Sequence, residues 1–288
     1  MTTRTILVTG ARGKTGREVL RQLSTQRDVE VIAGSSRPEL VLRANSVRPV
    51  AFDWNVPATW EVAAARADAI YLMRPDLPNA AALTSGLIAL RPDAHIVLLS
   101  EQSAEMDAHD GWVRGVEEAV AATRASWTIL RPSWFHQDLT DPRHFLASIQ
   151  SHDKLVMPSG GAPIAWVDAR DIAAVAMSAL LDPETHRGHR HAITGPEGVT
   201  LQEVAKRVSA ASGTAITAVD QPLSEVLDGL DSWIAEVLES LYTRVQSGGF
   251  GELTDTVQAI TGAKPRSLET FIRENRAEWT PHVVKDGR

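Results

Sequence analysis

Residues Ile6 to Gly16 read ILVTGARGKTG: an apolar run, a turn with glycines at 10, 13 and 16, and then the helix-like GREVLRQL. Such a segment can hold phosphate. A tight turn lets the main chain approach a pyrophosphate with no Cβ in the way, and a helix that starts there aims free N–H groups at negative charge. The spacing is G-x-x-G-x-x-G rather than the commoner G-x-G-x-x-G, so the strand-turn-helix context carries the reading more than the glycines do. Gly13-Lys14-Thr15 also looks like the end of a P-loop, but the first glycine of that motif would fall at Val8, inside the strand. A dinucleotide turn is therefore expected, with a purely structural glycine turn as the alternative.

The next strand bears on which dinucleotide. Val29 to Ala33 ends at Gly34-Ser35-Ser36-Arg37, about twenty residues beyond the turn, where an adenosine ribose lies in such folds. An NAD site needs an acid there for the 2′-hydroxyl. This chain offers two hydroxyls and a guanidinium, and the N–H fork of Arg37 suits a 2′-phosphate. NADP(H) is favoured over NAD, the plainer reading being that Arg37 is a solvated loop arginine.

The elements that must position these residues follow a βαβ rhythm. Strands are expected at Ile6–Thr9, Val29–Ala33, Val47–Phe52, Ala69–Met73, His95–Ser100 and Trp127–Leu130, with helices at Thr15–Thr25, Thr59–Ala65, Asn79–Leu90 and Gly111–Thr123. Beyond Pro132 the rhythm loosens to a short strand at Ile164–Val167, an Ala-rich helix at Ile172–Leu181 and a strand at His191–Thr194. Mainly helical sequence follows at 201–212, 223–246, 253–261 and 267–275. The fold class is α/β, a doubly wound parallel sheet with a smaller, mainly helical substrate lobe. Residues 1–135 would form the dinucleotide-binding domain, with 163–195 returning to it, and 136–162 and 196–288 would form the capping lobe.

Composition narrows the chemistry. The 288 residues include no cysteine, which removes disulfides, thiolate metal sites and cysteine nucleophiles. A net charge of −7 argues against a nucleic-acid surface. No apolar run approaches the roughly 18 residues needed to span a bilayer, and MTTRTILVTG enters a strand without a signal-peptide layout. The expectation is a cytoplasmic protein acting on a small molecule, without nucleic-acid or membrane partners. His186, His189 and His191 fall in PETHRGHRH, where Arg187 and Arg190 would repel a divalent ion, so a solvated loop and no metal are expected.

Several stretches together carry a resemblance: VTGARGKTG at the start, SSRP after the second strand, FDW at 52–54, WTILRPSWFHQD at 127–138, WVDARDIAAVA at 166–176 and ITGPEGVTLQEVA at 193–205. The chain resembles the NmrA-like group of atypical short-chain dehydrogenase/reductases over nearly its whole length. Its middle and C-terminal parts are most similar to the ergot-alkaloid-type reductases. The resemblance implies that Gly10, Arg12, Gly13, Lys14, Thr15 and Gly16 line the pyrophosphate, that Ser36 and Arg37 hold the adenosine phosphate, and that Asp53 lies by the adenine. It implies that Met73 and Arg74 run beside the cofactor, that Ser100 lies near the nicotinamide, and that Pro132–Asp138 walls the substrate pocket. Relatives often carry Asn where this chain has Asp138.

One departure bears on mechanism. Ordinary members of the superfamily protonate a developing alkoxide with a Tyr-x-x-x-Lys pair, and neither tyrosine here, Tyr71 or Tyr242, is followed four residues later by lysine. In the helix where the pair belongs the nearest base is Arg114, which stays protonated and is expected to pair with Glu117 or Glu118. Candidate catalytic residues are then Ser100 and His136, the first also able to cap a turn and the second also readable as a packed or solvated loop histidine. Trp112, Trp134 and Phe135 are candidate substrate contacts, or core. Asp168 and Asp171 read as capping residues with a salt bridge to Arg170. The function expected is an NADP(H)-dependent reductase passing hydride to a C=N or an activated C=C or C=O. A non-redox NADP(H) sensor and a non-redox biosynthetic enzyme on the same scaffold are the alternatives.

Overall fold

The computed structural model of the chain describes residues 3–108 and 111–279. These divide into two compact units: residues 3–108, 111–132, 169–193 and 254–264 form the first, and 133–168, 194–253 and 265–279 the second.

The first unit is a parallel sheet of seven strands in the order β3-β2-β1-β4-β5-β6-β8. Its strands are β1 (Arg4–Val8), β2 (Val29–Ser35), β3 (Val47–Ala51), β4 (Ala69–Met73), β5 (His95–Leu99), β6 (Trp127–Pro132) and β8 (Arg190–Ile193). The helices between them are α1 (Lys14–Leu23), α2 (Ala58–Ala64), α3 (Ala80–Ala89), α4 (Trp112–Ala121), α6 (Ala169–Leu181), α7 (Pro183–His186) and α11 (Thr256–Thr261). The strand order reverses at β1, where β2 lies on one side and β4 on the other, and open sheets bind ligands at the carboxyl side of such a switch point. The central strands are apolar on both faces, as sheets covered by helices on each side must be: every residue of β5 is buried. The core joins Leu7, Ile70, Leu98 and Ile129 of the sheet to Leu87 of α3 and Val116 of α4.

The second unit is mainly helical, with α5 (Leu146–His152), α8 (Leu201–Ser212), α9 (Leu223–Leu227), α10 (Ser232–Gln246) and α12 (Leu268–Asn275). A two-stranded parallel sheet joins β7 (Lys154–Val156) to β9 (Thr217–Val219). Its own core gathers Trp166, Leu201, Val204, Phe250 and Phe271. α8 starts on a full capping box in which Thr200 and Glu203 satisfy each other's main-chain N–H groups.

Three expectations need revision. The apolar period at 226, 230, 234 and 237 suggested one helix from 223 to 246, but Gly229 adopts φ +71° and Asp231 caps the N–H of Trp233 at 3.0 Å, so α9 and α10 are separate. Residues 164–167 form isolated bridges, Phe135 to Val167 and Ile164 to Val199, and not a strand. Residues 254–264 belong to the first unit, where the Thr254 hydroxyl donates to the Ala192 carbonyl at 2.9 Å. Among the described residues no helix is long and apolar enough to cross a membrane.

Candidate active site

A cleft of about 480 Å³ opens at the carboxyl ends of β1, β2 and β4. Its floor is the glycine turn. Gly10 adopts φ +64°, and a Cβ there would lie 2.7 Å from Met73 Sδ; a Cβ on Gly16 would lie 2.2 Å from the Gly10 carbonyl oxygen. Gly10 therefore supplies a left-handed turn closed over Met73, and Gly16 lets α1 press against that turn. Gly13 caps α1 with no side-chain hydrogen bond, so the cap residue brings no side chain to compete with an anion at the head of this ten-residue helix. These features fit the pyrophosphate of a dinucleotide. Arg12 and Arg74 line the same cleft and supply positive charge.

The side wall is aromatic. Phe52 and Trp54 meet edge to face at 5.0 Å, and Trp54 meets Trp60 at 5.5 Å. Trp60 is fixed by its indole N–H, which donates to the Asp53 carbonyl at 2.7 Å. Asp53 turns its carboxylate onto the Asn55 N–H at 2.9 Å and lines the cleft with Phe52, Trp54 and Ser36. Asp53 was expected beside the adenine; its neighbours Phe52 and Trp54 were not, although two aromatics flanking an acid are the visible signal of an apolar wall for a planar base.

Not every residue expected around the phosphates points at them. Thr15 is fully buried beside Tyr71, so only its main chain faces the turn. Lys14 opens α1, and Arg37 is exposed with its N–H donating to Ser35 Oγ at 3.1 Å; neither is among the described residues that line the cleft. Arg74 donates to Glu101 at 2.6 Å and stacks its guanidinium 4.6 Å over the Trp112 ring. The Trp112 indole N–H donates to the Leu77 carbonyl at 2.9 Å. One face of this candidate substrate platform is thus already covered.

At the end of β5 stands an ionic network that sequence spacing did not reveal. The Ser100 hydroxyl donates to Glu117 Oε1 at 2.5 Å. Glu117 is buried on α4 and accepts two bonds from Arg131, from Nε at 3.0 Å and from Nη2 at 2.7 Å. Arg131 also pairs with Glu105, and Arg190 Nε stands 3.5 Å from Glu117 Oε2. Burial opposes the charge on Arg131, but its bonds to Glu117 and Glu105 outweigh that and raise its pKa. Arg114 pairs with Glu118 at 2.9 Å, so of the two expected partners it takes the outer one.

The tyrosines lie elsewhere. Tyr71 is fully buried in β4, and burial raises its pKa. Tyr242, on α10 of the second unit, stacks on Trp134 at 6.2 Å; burial and then the Asp138 charge raise its pKa. Trp134 also meets Trp166 and Phe250, and Phe135 is tied to Val167 through a bridge. His136 is fully buried in that unit, and its ring packs on Phe271 at 5.4 Å. Among the described residues neither ring nitrogen has a hydrogen bond, and a carboxylate oxygen of Asp168 stands 3.8 Å from Nδ1. Asp168 is itself fully buried and accepts from Gln137 at 3.0 Å.

The histidine run departs from the solvated loop expected of it. His186 is buried, bonds to His191 at 3.1 Å and to Ser178 at 3.1 Å, and is followed by the start of β8. Polar flanking residues masked this, because α7 turns His186 inward while residues 187 to 190 stay exposed, as a solvated loop would. Among the described residues no group of three or more His, Cys, Asp or Glu is placed to hold a metal.

Two family models match, one described as NAD(P)H-binding over residues 10–183 and one as NmrA-like over residues 101–272. The chain belongs to the NmrA-like family of NAD(P)H-binding proteins. Within the family it is 31% identical to the uncharacterized oxidoreductase YesF of Bacillus subtilis, over 96% of each chain. It is 28% identical to festuclavine dehydrogenase easG of Aspergillus fumigatus, over 96% of this chain and 100% of that one. Among solved structures it superposes on the NADPH-dependent quinone oxidoreductase QOR2 of Escherichia coli, complexed with NADPH, with a TM-score of 0.77 and 20% identity. That match covers 93% of this chain and 99% of the other. The family match and the fold thus agree with the sequence resemblance.

Proposed function

We propose that the protein is an NADP(H)-dependent oxidoreductase that reduces an electrophilic C=N, or an activated C=C or C=O, of a small or medium organic molecule. The observation that carries this reading is a single cleft that pairs the glycine turn at Gly10 and Gly13 with the aromatic wall of Phe52 and Trp54. The oxidoreductase names of its relatives point the same way. Bound NADPH supplies hydride equivalents. The chain's own residues orient it: main-chain N–H groups at the head of α1 take the pyrophosphate, and Phe52 and Trp54 flank the base. Ser36, and Arg37 if it swings inward, take the 2′-phosphate.

The described tyrosines do not suit the proton-donor role of the Tyr-Lys pair: Tyr71 is sealed in the sheet and both have raised pKa values. Positioning and exclusion of water are left to carry much of the rate. This favours substrates whose reduction needs little acid help. Anaerobic stopped-flow of NADPH-loaded protein against imines, enones and quinones tests the assignment. Loss of the nicotinamide absorbance is expected with at least one class, whereas saturable NADPH binding without oxidation by any of them would make the protein a sensor.

A further inference from the structure

We propose that Met73 is an oxidative modification site that switches the coenzyme cleft: a peroxide converts its thioether to the sulfoxide, which shuts the glycine turn to NADP(H), and reduction reopens it. The inference rests on the reading that the dinucleotide lies over Gly10 and Gly13, and adds regulation to that site. With no cysteine in the chain, thioethers are the sulfur that a peroxide can oxidise. Met73 ends β4 and is one of the residues lining the cleft. It is only part-buried, unlike Met157, which is 1% exposed in the core of the second unit.

The thioether sits where an added oxygen does most harm. The main chain of Met73 is fixed, because its N–H donates to the buried hydroxyl of Thr9 at 2.8 Å. A Cβ on Gly10 would lie 2.7 Å from Met73 Sδ, and one on Gly13 would lie 3.1 Å from Cε, so the sulfur and its methyl group both press on the turn. A further heavy atom has no room between the sulfur and Gly10, and overfilling such a contact moves the backbone. The sulfoxide oxygen must then push the turn aside or stand out into the cleft. Standing out, it sets the negative end of a dipole and a hydrogen-bond acceptor beside phosphates that are acceptors themselves. Either way a flexible apolar floor becomes a polar, chiral one.

The step balances with hydrogen peroxide as the oxidant. A sulfur lone pair attacks one peroxide oxygen and forms the S–O bond, the O–O bond breaks, and the departing hydroxide collects the proton of the transferred oxygen and leaves as water. Sulfur is oxidised by two electrons and the peroxide is reduced by two. Reversal takes a methionine sulfoxide reductase and a dithiol: the thioether returns, the oxygen leaves as water and the dithiol becomes a disulfide. A bound dinucleotide covers the floor of the cleft, so the occupied protein resists the oxidant and the empty protein is the form switched off.

The test treats coenzyme-free protein with hydrogen peroxide, removes the excess with catalase, follows each methionine by peptide mass mapping and measures NADPH affinity by calorimetry. Met73 should oxidise later than Met106, which is 47% exposed and not among the residues lining the cleft, and well before Met157. Once Met73 is oxidised NADPH should bind at least tenfold more weakly, and two methionine sulfoxide reductases, one for each epimer, should restore the affinity. Saturating NADP⁺ during the treatment should slow Met73 at least tenfold and leave Met106 unchanged. Met73→Leu, compared with its own untreated affinity, should stay within twofold after peroxide, whereas Met106→Leu should lose as much as wild type. If the leucine variant at 73 does not fold, rescue of oxidised wild type by the reductases decides the matter. Complete oxidation of Met73 with NADPH affinity within twofold of untreated protein, a Met73 as slow as Met157, no shielding by NADP⁺, or an equal loss in Met73→Leu would each overturn the proposal. If untreated protein binds NADPH and peroxide leaves that affinity alone, only the switch falls; if untreated protein binds no NADPH, the reading of the cleft falls and takes the switch with it.

Discussion

The two ends of the carboxyl edge of the sheet in the first unit are built from different materials. After β1 the site is main chain: three glycines, an open helix start, and a methionine packed beneath them. After β5 it is side chain: a serine just beyond β5, a buried glutamate from α4 and two arginines from β6 and β8. The first end is proposed to offer N–H dipoles to phosphate and has no room for a Cβ at Gly10 or Gly16. The second holds compensated charges and depends on every member being present. A main-chain site is limited by space, whereas an ionic site is limited by pairing.

That contrast predicts unequal costs of damage. Glu117→Ala leaves Arg131 part-buried with its bidentate partner gone and removes the acceptor of Ser100, and breaking a buried pair in this way costs roughly 3–5 kcal/mol. Denaturant unfolding should show a loss of that size, and a loss below about 1 kcal/mol would mean that solvent already screens the network. Gly16→Ala attacks the other end. Its methyl would meet the Gly10 carbonyl at 2.2 Å, so turn and helix must part, at roughly 2–3 kcal/mol of overpacking. NADPH affinity should fall along with stability, whereas Glu117→Ala should spare much of the adenosine affinity. If the two variants lost NADPH to the same degree, the division of labour between the ends would be wrong.

The two ends were also unequally legible in the sequence. Glycine spacing after an apolar run is a local signal, and Gly10, Gly13 and Gly16 lie within a single turn of chain, so the strand-turn-helix could be read directly. The network is assembled from positions 100, 117, 131 and 190, and no local pattern links them. A clue existed nonetheless. Glu117 shares the buried face of α4 with Val113, Val116 and Val120, so an acid stands on the apolar stripe and must find a partner inside. Helical i,i+3 and i,i+4 spacing points instead to Arg114, which lies towards solvent with Glu118. His136 shows the converse: a histidine in a promising stretch turned out to be a fully buried neighbour of Phe271, and sequence cannot distinguish a pocket wall from a core wall.

Acid should separate the site from the rest of the sheet. His95, at the start of β5, and His191, on β8, are both pushed down to about 4, chiefly by burial and further by nearby positive groups; burial lowers His186 as well. Their folded pKa values lie below the unfolded value near 6.5, so between roughly pH 6.5 and 4 the unfolded chain binds more protons. Stability is then full above that window, falls as pH drops through it, and levels off below. After discounting for partial exposure, the two together contribute on the order of 2 kcal/mol. Thermal melts from pH 8 to 4 should show this slope, and His191→Gln should flatten part of it; an unchanged slope in the variant would transfer the effect to carboxylates.

The smallest effect lies at the rim of the main-chain end. Arg37 is exposed, so its removal should leave the melting temperature within experimental error and change only ligand preference. A guanidinium reaching a 2′-phosphate through water-exposed space is worth about 1.4 kcal/mol, or tenfold in affinity. Arg37→Ala should therefore weaken NADPH about tenfold and NADH hardly at all, and raising salt should shrink the NADPH affinity of wild type more than that of the variant, because an exposed ion pair is screened. Equal losses for the two dinucleotides would remove Arg37 from phosphate recognition and leave Ser36, which does line the cleft, to account for any NADPH preference through neutral hydrogen bonds that salt does not weaken in the same way.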